Sequence, residues 1–211
     1  MIAPLPFALG ALAWSASEYA LHRFVGHGPK RKPVRGLRSL TPSGLMALFN
    51  EEHLAHHTDP QYFAPTSKKI VAAVAVTGVV TTLGSLVVGP RRALSFALGF
   101  GATYASYEII HRRIHTHPPT GTFSRWVRRH HLHHHHKSPR ENHGVTSYLW
   151  DRVFDTEVRI AEGQKVRVPR RAAPPWMVDA ATGDVRAEFA ADYDVVGPRR
   201  AANTEETLVI G

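Results

Sequence analysis

Two long apolar runs in series dominate the middle of the chain. Residues 70 to 88, IVAAVAVTGVVTTLGSLVV, carry no charge in 19 residues. As an α-helix this run spans about 28 Å, close to the hydrocarbon core of a bilayer. Gly89-Pro90-Arg91-Arg92 then makes a tight, charged turn. Residues 93 to 110, ALSFALGFGATYASYEII, form a second run broken only by Glu108. The pattern predicts a helical hairpin of transmembrane length. A hairpin buried in a soluble core is the competing reading, but the chain has little other apolar sequence to surround one. Met1 to Leu21 is also apolar apart from Glu18. It lacks the positive start of a secretory signal, and cleavage near Ser15-Ala16-Ser17 would leave His22 beside a new terminus. It reads as a third membrane helix, spanning or re-entrant.

From about residue 159 the pattern turns polar, with Pro169, Pro174, Pro175 and Pro198 and no histidine. The expectation is a membrane-embedded unit over residues 1–158 and a cytoplasmic tail over 159–211, partly ordered at most. The fold class expected is all-α: a membrane helical bundle (apolar helices about 2–21, 70–88 and 93–110) with a cytoplasmic helical cap.

Composition narrows the chemistry. The 211 residues suit one domain of ordinary size. The absence of cysteine excludes disulfides, thiolate zinc sites, iron–sulfur clusters and haem–thiolate oxygenases. A net charge of +9 suits nucleic acid or an anionic membrane surface. Nucleic-acid binding leaves the hairpin unexplained, so no nucleic-acid partner is expected. There is no phosphate-binding glycine loop and no GxSxG elbow. Lys and Arg crowd into residues 23 to 40 and 112 to 140, which the positive-inside rule places in the cytoplasm. Arg91-Arg92 opposes the rule but is outnumbered. Three crossings then put the C-terminus on the cytoplasmic side.

Histidine carries the chemistry. Thirteen of the 15 histidines fall into four clusters: His22 and His27; His53, His56 and His57; His111 and His115; and the run from His130 to His136. Residues at i, i+3 and i+4 share one helix face. His53, His56 and His57 therefore point one way, as do His111 and His115. In the fourth cluster both His131, His134, His135 and His130, His133, His134 satisfy the spacing. His22 and His27 are rotated by about 140° on an ideal helix, but Gly26 and Gly28-Pro29 can end the helix and return His27 toward His22. A lone HxxxH pair is more often a packing feature than a ligand pair. Four such sites together indicate a shared centre of ten imidazoles, too many for one metal and suited to two with about five each. Metal-bound imidazoles need acceptors that fix their tautomers. Glu18, Glu51, Glu52, Asp59, Glu108 and Asp151 are the carboxylates near enough in sequence to serve.

The order HxxxxH, HxxHH, apolar hairpin, HxxxH, HxxHH resembles the fatty acid hydroxylase/sterol desaturase superfamily of integral membrane di-iron enzymes. Gly144-Val-Thr-Ser-Tyr-Leu-Trp150-Asp151-Arg-Val-Phe154-Asp-Thr156 is similar to the stretch closing the catalytic part of that family. The resemblance covers roughly residues 14 to 156. In that family the paired histidines precede the glycine matching Gly144 by a fixed gap. The implied metal ligands are thus His22, His27, His53, His56, His57, His111, His115, His131, His134 and His135, with His130 and His133 as neighbours. Two departures stand out: His143 replaces an aromatic residue, and Asp155 replaces a glycine.

The resemblance implies two iron ions, with zinc as a substitute in purified protein, and O2 as co-substrate. It implies a lipid substrate, a fatty acyl chain first and a sterol-like lipid next. With no fused cytochrome b5 domain in this sequence, electrons are expected from a separate ferredoxin- or cytochrome b5-like protein. The alternatives are a carotenoid hydroxylase, whose boxes His22-Arg-Phe through His27-Gly is also similar to, a lipid desaturase of the same architecture, and a non-catalytic membrane metal-binding protein.

Overall fold

The computed structural model describes residues 1–198. Six α-helices come first: α1 (Pro4–Ala20), α2 (Pro42–Thr58), α3 (Thr66–Val88), α4 (Pro90–Thr116), α5 (Thr122–His136) and the short α6 (Leu149–Val153). Two strands follow, β1 (Val166–Pro169) and β2 (Tyr193–Val196). Proline opens α1, α2 and α4, where its missing N–H has no helical partner to lose. Thr41 caps α2 by accepting from the Gly44 N–H at 3.2 Å. Gly89, at φ +83°, ends α3 and starts α4 within one residue. That conformation is open to glycine and strained for most other residues.

α1 and α4 lie against each other along much of their length, and glycine sets their separation. A Cβ on Gly10 would strike the Phe96 carbonyl, and one on Gly99 would strike the Phe7 carbonyl. Trp14 closes the seam edge-on to Phe100 and Tyr104, with ring centroids 5.3 and 4.7 Å apart. α3 leans on α4 and buries none of its residues. Ile70, Val71, Val74, Val79, Leu83, Leu86 and Val87 all face outward. Among the described residues α3 alone is long and apolar enough to cross a membrane by length and composition. Of the other two segments read from the sequence as membrane helices, α1 has 17 residues, and α4 runs on past its apolar part to His115.

Of the tail expected over residues 159–211 to be partly ordered at most, residues 159–198 hold a small sheet and several buried side chains, and residues 199–211 lie outside the described residues. β1 and β2 pair in parallel, Val166 against Tyr193 and Val168 against Val195. The fold is therefore mostly helical with one small sheet, not purely α. Val166, Val168, Trp176, Met177, Phe189 and Tyr193 share one buried cluster with Ile114, Val127, Leu132 and Val145. Trp176 Nε1 donates to the Ile114 carbonyl at 3.0 Å. Arg125 forks onto Asp192 at 2.5 and 2.7 Å. These few large side chains are spread over almost thirty residues, so average composition hid them. Their effect is to brace the ends of α4 and α5, where five of the histidines of interest lie.

Candidate metal centre

The chain leaves α1 through one turn of π-helix, Leu21–Gly26. The His27 N–H donates to the His22 carbonyl at 3.0 Å, an i to i+5 bond. The wider turn brings two side chains that diverge on an α-helix to one side, with rings 5.1 Å apart. Asn50, fully buried one turn before His53 on α2, holds the end of this turn. Its Nδ2 donates to the Val25 and Gly26 carbonyls at 2.8 and 3.0 Å. Gly26 leaves room for the His53 ring, which any Cβ there would strike.

α2, α4 and α5 bring the remaining histidines to the same place. All ten residues selected from the sequence converge, in two groups. His22, His27, His53, His57 and His134 form one; His56, His111, His115, His131 and His135 form the other. Within each group one nitrogen per ring lies within 4.8 Å of the others. The shared helix faces are divided between the groups. On α2, His53 and His57 serve the first and His56 the second. On α5, His134 serves the first, and His131 and His135 the second. The His57 and His135 rings stack at 4.0 Å with 5° between planes, so the groups adjoin.

Hydrogen bonding to backbone carbonyls fixes which nitrogen three of the rings offer. His56 Nδ1–H donates to the Tyr62 carbonyl at 2.8 Å and His134 Nδ1–H to the Glu141 carbonyl at 2.6 Å. His22 Nδ1–H donates to the His143 carbonyl. Each neutral ring then turns a bare Nε2 lone pair inward. Nε2 of His22, His56, His57 and His111 is buried without a hydrogen-bond partner, as are both ring nitrogens of His135. His27 Nε2 lies 2.9 Å from the Nε2 atoms of both His53 and His134. Unpaired buried polar atoms cost about 1–3 kcal/mol each. Five convergent imidazoles, several with a buried Nε2 that has no hydrogen-bond partner, fit a divalent transition-metal ion, and the arrangement occurs twice.

The electrostatics agree with this fit. Burial, first, pushes His27 and His56 down to about 4. Burial and then the neighbouring imidazoles hold His22, His53, His57, His111, His115, His131, His134 and His135 far below the usual histidine range. All ten are therefore neutral near pH 7, the form that binds a metal.

The carboxylates that the sequence offered as orienting groups do not take this role directly. Glu18 is buried but accepts from the Val145 N–H at 2.7 Å and from Thr146, tying α1 to that loop. Glu52 accepts from Tyr62, Asp59 from the Gln61 N–H, and Glu108 pairs with Lys69. Asp151 acts one step removed. Fully buried, it accepts from the His143 and Gly144 N–H groups at 2.7 and 2.8 Å and from Thr156 Oγ1 at 2.7 Å. Burial works to raise its pKa, but His130 and these donors hold it well below the usual carboxylate range. It thereby sets the peptide whose carbonyl orients His22. His130 faces Asp151 at 3.5 Å and His133 faces Glu141 at 3.1 Å, both outside the two groups. The backbone carbonyl acceptors and Asn50 have no sequence signature that reading the chain alone could have used.

The sequence profile of the family described as Fatty acid hydroxylase matches residues 7–156. A dihydroceramide fatty acyl 2-hydroxylase of Arabidopsis thaliana is 30% identical over 154 residues, covering 71% of this chain and 59% of its own length. The ceramide very long chain fatty acid hydroxylase of Saccharomyces cerevisiae is 30% identical over 161 residues, covering 71% of this chain and 37% of its own. The fatty acid 2-hydroxylase of Homo sapiens is 29% identical, with 71% and 38% covered. The chain thus spans under two thirds of the length of these relatives. A solved structure of full length scs7p, with only its hydroxylase domain visible, is similar at a TM-score of 0.54 and 24% identity, over 74% of this chain and 56% of that one.

Proposed function

The chain belongs to the fatty acid hydroxylase family, and from that premise we propose that it is a membrane di-iron oxygenase. It hydroxylates a fatty acyl chain with O2 and electrons from a separate ferredoxin- or cytochrome b5-like donor. The names of the relatives point to the carbon next to the acyl carbonyl as the one attacked. The observation that carries the reading is the pair of adjoining five-imidazole groups inside the family-matched segment.

In this reading the ten histidines His22, His27, His53, His56, His57, His111, His115, His131, His134 and His135 are the ligands, and residues 1–158 form the catalytic unit. Two irons, when bound, would supply electrons and an O2-activating site strong enough for an unactivated C–H bond. Zinc would take their place after aerobic purification. The chain's own contribution is placement. The carbonyls of His143, Tyr62 and Glu141 hold three rings in the tautomer that offers Nε2. The His57–His135 stack keeps the two groups side by side. Phe63 covers the second group, its ring 5.0 Å from that of His56 and 5.8 Å from that of His111, and keeps water off that side. The outward apolar face of α3, with Leu5, Leu9 and Leu12 of α1, suits lipid contact. The membrane bundle formed by α1, α3 and α4 would let a lipid approach laterally, with the histidines and the C-terminal segment on the cytoplasmic side.

The test is expression in a host with a competent electron donor under isotopically labelled O2, followed by mass spectrometry of total fatty acyl chains. A gain of one labelled oxygen beside the carbonyl is expected. Unlabelled lipids, from protein shown to hold both metals, would point instead to a non-catalytic metal-binding protein.

A further inference from the structure

The segment beyond residue 158 lies outside the family-matched stretch, yet it supplies one wall of a cavity at the metal centre. That cavity, about 510 Å³, is lined by His57, Thr58, Asp59, Pro60 and Arg171. His57 belongs to the first histidine group and stacks on His135 of the second. The cavity therefore opens directly beside both.

Arg171 is held there by a rigid frame while its own charged head stays unengaged. It sits in a 3-10 turn, Arg170–Ala172, directly after β1. Val168, three residues earlier, is fully buried in the core. Arg170 Nη1 donates to the Gly183 carbonyl, and Trp176 is tied to α4 through the Ile114 carbonyl. The Arg171 guanidinium has no hydrogen bond or ion pair among the described residues. The other polar groups of the wall are occupied: Thr58 Oγ1 donates to the Leu54 carbonyl at 2.9 Å, and Asp59 Oδ1 accepts from the Gln61 N–H at 3.0 Å. The cavity is of head-group size, in the range of about 300–1,000 Å³ usual for small-molecule sites.

We propose that Arg171 is a specificity-determining residue that receives the carboxylate head of the acyl substrate, with Asp59, which also lines the cavity, limiting how tightly it holds. This rests on the reading of the chain as an acyl hydroxylase. If the carbon attacked is next to the carboxyl carbon, the head must lie one bond from the reacting position, and so must occupy space abutting the histidines. A guanidinium matches a carboxylate through two parallel N–H donors, which an ammonium does not reproduce. The Asp59 carboxylate opposes the same anion, so its removal should favour binding.

The experiment is binding of radiolabelled palmitate, with radiolabelled methyl palmitate as the uncharged control, to the full chain in nanodiscs. Arg171 is exposed, so its replacement should leave folding intact. Arg171→Ala should weaken palmitate binding about tenfold and leave methyl palmitate unchanged. Arg171→Lys should recover part of the loss, and Asp59→Asn should tighten palmitate alone. Equal loss of both ligands, or no change in either, would overturn the assignment. So would a palmitate affinity unchanged by Arg171→Ala together with a raised KM for the electron donor, which would make Arg171 a donor-docking residue. Since binding is read without turnover, the two ideas fail separately. Head-group selectivity without any hydroxylated product sinks only the oxygenase reading. Hydroxylation of acyl chains with no charge selectivity at Arg171 sinks only the head-group assignment.

Discussion

His57 and His135 lie face to face, 4.0 Å apart and 5° from parallel, one from each group of five imidazoles. Neither ring has a hydrogen-bond partner for its Nε2. This contact is the narrowest link between the two candidate metal positions, and both residues come from HxxHH boxes. If each offers its nitrogen to a different ion, replacing either should remove one metal and leave the other. Elemental analysis of detergent-purified protein should give two ions per chain for the parent, one for each group. It should give about one for His57→Ala or His135→Ala. A parent stoichiometry near one would rule out the paired centre.

The fourth box offered two registers in the sequence, and the structure separates their members. His131, His134 and His135 point into the groups, while His130 and His133 face Asp151 and Glu141. His134→Ala should abolish both metal loading and activity. His133→Ala should keep both metals and most activity, since it removes only a contact with a half-exposed carboxylate. A dead His133→Ala beside an active His135→Ala would require the other register.

Much of this was legible because helix geometry is local. The i, i+3, i+4 spacings placed the imidazoles of α2, α4 and α5 on common faces, and the run from Ile70 to Val88 announced α3. What spacing could not supply was the third dimension. That His56 leaves its neighbours for the second group depends on where α4 and α5 pass. The meeting of His22 and His27 depends on a π turn stabilised by Asn50, which is remote in sequence. The order within residues 159–198 was not legible because it comes from a few buried residues such as Val168, Trp176 and Tyr193, whose partners Ile114 and Val127 lie far upstream.

Asp151 carries a prediction of its own. It touches no ligand ring of the two groups, but it fixes the His143–Gly144 peptide, and the His143 carbonyl orients His22. Asp151→Asn would turn an N–H toward one of those backbone donors. Metal affinity of the first group should fall about 10- to 100-fold, measured by competition with a calibrated chelator. The second group should be little affected. An equal loss at both would mean that Asp151 matters only for folding.

Trp176 tests the brace supplied by the segment beyond residue 158. Its side chain is buried, contacts Phe189 and Tyr193, and donates to the Ile114 carbonyl next to His115. Trp176→Ala should cost about 3–5 kcal/mol of stability, read as a lowered thermal midpoint. It should also loosen metal in the second group, which contains His115. Unchanged melting would show that the segment is only an ornament on the helices.

The last prediction concerns acid. An unfolded histidine titrates near pH 6.5, whereas burial holds His27 and His56 at about 4 in the folded chain. Between those values the unfolded state binds more protons than the folded one, so stability rises with pH. The stabilisation is fully present above about 6.5 and is lost progressively as the pH falls toward 4. The metal-free chain should therefore melt at steadily lower temperature from about pH 7 to pH 4, with no such slope between about pH 7 and 8. Metal-loaded protein should show a steeper fall over the same window, because protons compete with the ions for the same nitrogens. Thermal melts across this range, with released metal measured in parallel, would decide it. A flat profile for both forms would mean that these imidazoles are exposed and protonate freely, and the dry two-group arrangement would have to be abandoned.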